Sequence, residues 1–64
     1  MIIFVYFNKE WIVDISVNKI KIGVHKFSSK AKAIEYAVQK QKEFEVEHVY
    51  VHENDILTEV IDLA

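Results

Sequence analysis

The sequence predicts an α+β domain, an antiparallel sheet in the order β-β-β-α-β-β with one helix packed across one face. Three observations predict it. Two runs of alternating apolar and polar residues flank Asn18-Lys19, the mark of a hairpin. A single stretch, near residues 29–44, carries apolar residues at helical spacing. The chain has no proline and one glycine, so little interrupts regular structure between the turns.

Residues 2–7 are β-branched and aromatic, which predicts a strand. No residue there marks a wet face, so both sides are expected to be covered, by the domain or by something outside it. Asn8-Lys9-Glu10 reads as a turn. Residues 11–17 alternate, with Trp11, Val13, Ile15 and Val17 on one side and Ile12, Asp14 and Ser16 on the other. Trp11 is expected to anchor the core, with a ligand-stacking platform as its alternative. Asn18-Lys19 supplies a two-residue turn in which asparagine accepts a positive φ. Ile20, Ile22 and Val24 then alternate with Lys21, Gly23 and His25. Gly23 inside a strand marks a bulge or a close approach.

Phe27-Ser28-Ser29 changes the rhythm, and either serine can cap a helix. Ala31, Ala33, Ile34, Ala37, Val38 and Phe44 form its expected buried side, and the alanines let its axis lie close to the sheet. Residues 48–52 alternate again, Val49 and Val51 against His48, Tyr50 and His52. Glu53-Asn54-Asp55 is a turn. Residues 56–63 close the chain as a strand, with Leu57, Ile61 and Leu63 opposite Ile56 and Val60; a helix is the competing reading.

One helix covers one face of a sheet. The other face is expected to carry Ile12, His25, His48, Tyr50, His52 and parts of both terminal strands. A chain of 64 residues forms one domain, residues 1–64, and hides only about 60% of the surface its unfolded form exposes. It has no cysteine, so neither disulfides nor thiolate metal sites can staple it. Its 52% hydrophobic content calls for either an efficient monomer core or an apolar face covered by a second copy.

The net charge of −2 is unevenly spread. Residues 1–18 sum to −1, residues 19–42 to +6 and residues 43–64 to −7. Such a split gives a dipolar surface, a basic patch for phosphates or an acidic protein, or reciprocal pairing between two copies. All eight basic residues are lysine, which weakens specific base readout, a task for arginine.

No catalytic, metal-binding or cofactor-binding residue can be nominated, and none of these activities is expected. His48 and His52 share a strand face but stand about 13 Å apart, too far for one metal ion. The carboxylates fall in solvated runs such as Glu43-x-Glu45-x-Glu47, with no phosphate loop or nucleophile elbow beside them. The apolar start stops at Asn8, short of the ~20 residues of a membrane span, and lacks the features of a signal peptide. A cytoplasmic location without membrane contact is expected.

Trp11-x-Val13, Phe27-Ser28-Ser29-Lys30-x-x-Ala33-Ile34-x-x-Ala37 and Val49-x-Val51-His52, in this order, resemble a small bacterial family, domain of unknown function two-one-eight-eight. The resemblance spans about residues 3–61. It implies a compact α+β domain and no established activity. The chain departs from that family in its acidity and in placing Asn54-Asp55 where a glycine turn is usual. The helix start also resembles the small DNA-binding domains of phage-type integrases, which lay an open sheet face in the major groove. That face would here include Asp14, Ser16, Lys21 and His25.

Two functions follow as expectations. The first is a non-enzymatic interaction module, self-associating as a homodimer or binding another protein through the sheet face or edge left open, with Ile12, Tyr50, His52 and Ile56 as its interface. The alternative is a nucleic-acid-binding domain using Lys19, Lys21, Lys26, Lys30 and Lys32.

Overall fold

Residues with β-branched and aromatic side chains resist helical packing at χ1 and fill a pleated surface well. In the computed structural model, which describes residues 1–64, such runs form five strands. They are β1 (Ile2–Asn8), β2 (Glu10–Val17), β3 (Ile20–Phe27), β4 (His48–Glu53) and β5 (Ile56–Asp62). The helix α1 (Lys30–Phe44) lies between β3 and β4. The α+β order expected from sequence is the order found, and residues 56–62 are strand.

Turn chemistry sets two of the three hairpins, β2–β3 and β4–β5. Asn18 and Lys19 have φ of 50° and 68°, and Asn54 and Asp55 of 51° and 63°. Two successive left-handed residues make a turn whose twist matches that of the flanking strands. The helix begins where Ser29, extended at φ −137°, accepts a hydrogen bond from the Lys32 amide at 3.2 Å. It ends at Glu45, left-handed at φ 54°, whose amide donates to Gln41 O.

The sheet order is β3-β2-β1-β4-β5. Hairpins make β1–β2, β2–β3 and β4–β5 antiparallel, but β1 and β4 run parallel. The sheet is thus mostly antiparallel, as expected, with one parallel pair at its centre. The physical cause is the helix: it carries the chain back across the sheet from the β3 edge, and a connection of that length can reach a parallel neighbour.

The core lies between that helix and one sheet face. Ile3 and Val5 from β1, Val13 and Ile15 from β2, and Val49 and Val51 from β4 meet Ala33 and Ala37, with Val46 beside them. Trp11, Phe27, Ile34, Tyr36 and Ile61 pack around this cluster. Trp11 therefore joins the core only in part; its ring also meets Phe7 at 5.3 Å between centroids. Ala31 and Phe44, expected to be buried, are exposed. The buried stripe runs instead through Ala33, Ala37 and Gln41, one residue every four. Gln41 is 1% exposed, and its amide donates to Ile61 O at 2.9 Å and Glu47 O at 3.4 Å.

Two bulges reassign side chains. In β3 the pairing shifts opposite Ile15 and Ser16, leaving Ile22 as the extra residue. Gly23 thus adjoins a bulge, as its presence in a strand suggested. Gly23 and His25 face the helix side, and Val24, opposite Asp14, faces away. His25 is accordingly corrected from the open face: its Nε2 lies 3.0 Å from the Tyr36 hydroxyl of the helix. In β5 the pairing shifts between Val51 and His52, with Thr58 unpaired. One inserted residue reverses the facing of everything beyond it. No helix is long and apolar enough to cross a membrane.

Candidate functional site

The face of the sheet opposite the helix is bare. Its side chains follow from register as three rungs running from β3 to β5. The first holds Lys21, Ser16, Ile2, His48 and Asp62. The middle rung holds Val24, Asp14, Phe4, Tyr50 and Val60. The last holds Lys26, Ile12, Tyr6, His52 and Leu57. Apolar and aromatic residues thus fill most of the face, and every strand contributes at least one.

Phe4 sits at its centre. The ring is 5.7 Å from both Tyr50 and His52, and Tyr50 is 5.9 Å from His48. These are tilted and edge-on contacts, the arrangement that aromatic quadrupoles favour. His48 Nδ1 closes the rim through Asp62 at 2.8 Å.

Of the two carboxylates on the face, Asp62 stands at the edge and Asp14 in the interior, only 5% exposed although no helix covers it. Ser16 donates to it at 3.2 Å and Lys21 pairs with it at 3.1 Å. The hydrogen bond to Asp14, then its charge, and more weakly Tyr6, hold Lys21 protonated above its ordinary range.

Of the expected interface residues, Ile12, Tyr50 and His52 fall on this face, Ile12 buried and the other two half-buried. Ile56 does not: the Thr58 bulge pairs it with Glu53, on the helix side, and brings Leu57 opposite His52 instead. Sequence reasoning named only the terminal strands here and missed Phe4, Tyr6, Leu57 and Val60. Phe4 and Tyr6 had a signal, since aromatics at 4 and 6 alternate with the β-branched Ile3 and Val5. Leu57 had none, because a bulge does not announce itself in an apolar run.

The expected lysine patch is dispersed. Lys21 and Lys26 stand at opposite ends of the bare face, Lys19 at a hairpin tip, and Lys30 and Lys32 at the helix start. Lys21, Lys26 and Lys30 are paired with Asp14, Glu10 and Glu53 at 3.1, 3.8 and 3.1 Å. Lys30 also lies 5.9 Å from the Trp11 ring centroid.

No three histidine or acidic side chains converge as metal ligands would. The three surface grooves hold about 280, 190 and 170 Å³, below the ~300 Å³ at which small-molecule sites begin. The largest lies between Met1, Glu47 and His48, the next beside Phe7 and Trp11, and the smallest between Ile22, Tyr36 and Phe44. No family model, curated protein or solved structure matches the chain.

Proposed function

We propose that this chain is a cytoplasmic, non-enzymatic interaction module that self-associates through the sheet face its helix leaves bare. The observation that carries this reading is the aromatic and aliphatic middle of that face, Phe4, Tyr6, Ile12, Tyr50, Leu57 and Val60, beside a core confined to the other side. Contiguous apolar surface of this kind gains free energy by leaving water, about 25 cal/mol per Å².

The size is adequate. Five strands of six to eight residues outline roughly 550 Å² at the usual strand spacing and rise. Two such faces together reach the ~1,000 Å² that a specific interface requires. The lysine reading has weaker support, because Lys21, Lys26 and Lys30 already face carboxylates.

Sedimentation equilibrium tests the proposal. A dimer is expected, and Tyr50→Glu, which sets a charge against Phe4, is expected to give a folded monomer. A wild-type chain that stays monomeric at millimolar concentration overturns the reading.

A further inference from the structure

The three rungs also distinguish between ways of placing one copy on another. Two aligned sheets related by a two-fold axis can have that axis along the strands or across them. An axis across the strands lays each strand on its own counterpart. Asp14 then faces Asp14 of the partner subunit, and Lys21 faces Lys26 of the partner subunit. Both juxtapositions bring like charges together out of water, which opposes association.

An axis along the strands, passing over β1, keeps each rung in place but exchanges its ends. Resting on the self-association proposed above, we infer that the dimer is built this way, with β3 of each copy over β5 of the other. Lys21 then meets Asp62 of the partner subunit, and Val24 meets Val60 of the partner subunit. Asp14, already holding Ser16 and Lys21, comes opposite Tyr50 of the partner subunit, whose hydroxyl is a donor a carboxylate can accept. Lys21 has three donors, so it can hold Asp14 and the partner's Asp62 together. On the axis itself Phe4 stacks on the partner's Phe4. The first and middle rungs are thereby matched throughout, polar to polar and apolar to apolar, while the last rung sets the aliphatic stem of Lys26 over the partner's Leu57 and Ile12 over the ring of the partner's His52.

This packing explains a feature that folding alone does not. A carboxylate in the middle rung of an apolar face weakens a simple hydrophobic interface, yet Asp14 and Lys21 set which way round the second copy fits. A polar group that fixes register at some cost in stability is a known device of self-associating surfaces.

The chain has no cysteine, so Val24→Cys and Val60→Cys each introduce a single thiol. Equal amounts of the two variants, carrying different mass tags, are mixed and treated with a short bismaleimide. The expected product joins Val24→Cys to Val60→Cys across the interface. Within one chain the two sites are four strand spacings apart, about 19 Å, so a short linker cannot join them internally. Self-linked Val24→Cys or Val60→Cys as the main product overturns the arrangement in favour of the crosswise axis. No linkage from a chain that sediments as a dimer also overturns it, pointing to edge pairing. No linkage from a monomer overturns the proposed function itself. As a second measurement, Asp62→Lys sets a lysine against Lys21 and is expected to weaken dimerisation at least about tenfold; unchanged affinity contradicts the arrangement.

Discussion

Two side chains show how polar groups are accommodated in a chain this small. Gln41 lies where the helical stripe calls for an apolar residue, and it links the end of α1 to the backbone of β5 and of the segment before β4. Gln41→Ala removes both hydrogen bonds and leaves Ile61 O without this donor. A loss of about 1–3 kcal/mol is expected, measurable by urea denaturation. Nothing in the sequence marks Gln41 as buried, because glutamine is usually solvated; only the tertiary position of Ile61 O reveals its role. Lys21 makes a different prediction. Asp14 raises its folded pKa above the ordinary 10.5, so the pair's contribution is complete below that value and fades as pH climbs through the raised one. Wild type is therefore expected to lose more stability at the alkaline end than Lys21→Met does. Parallel pH profiles for the two proteins would show that the pair contributes nothing.

The elements are governed by their ends, and there the sequence is only partly optimal. Lys19 and Asp55 occupy left-handed positions at φ 68° and 63°, where a side chain costs about 1 kcal/mol and glycine is at ease. Lys19→Gly and Asp55→Gly each turn the loop into an ideal two-residue connection. Each is expected to raise stability by several tenths to about 1 kcal/mol in thermal denaturation. Ser29→Ala, by contrast, strands the Lys32 amide and is expected to cost about 1 kcal/mol. These termini were legible: Asn18-Lys19, Asn54-Asp55 and Ser29 all act as their residue types suggest. What lay between was less so. Alternation correctly sorted Val13 from Asp14 and Val49 from Tyr50. It failed for His25, Val24, Ile56 and Leu57, all next to the two register shifts. A bulge depends on how two strands settle against each other: Gly23 hinted at the one in β3 without fixing its position, and no residue of β5 marked the other. The parallel β1–β4 pair escaped for a related reason, since strand order belongs to the whole sheet.

The whole molecule is a two-layer structure with three layers' worth of apolar residues. Its core draws on Ile3, Val5, Val13, Ile15, Val49 and Val51 on one side of the sheet. On the other side, Phe4, Tyr6, Tyr50, Leu57 and Val60 have no second layer over them, and Ile12 is shielded only by its neighbours on the same face. A second copy would supply the missing layer, and folding would then be coupled to association. Such coupling has a thermodynamic signature, because a partner that binds only the folded state stabilises it by mass action. The unfolding midpoint of the wild-type chain is therefore expected to rise with protein concentration, by about 1.4 kcal/mol of stability for each tenfold increase. Tyr50→Glu is expected to abolish that dependence and to unfold at the midpoint wild type approaches on dilution. Tyr50 is half-exposed and lies outside the core, so the variant's own fold should survive. A wild-type midpoint constant across a hundredfold dilution would mean that the bare face is tolerated as it stands. The aromatic cluster around Phe4 would then need an occupant other than this chain.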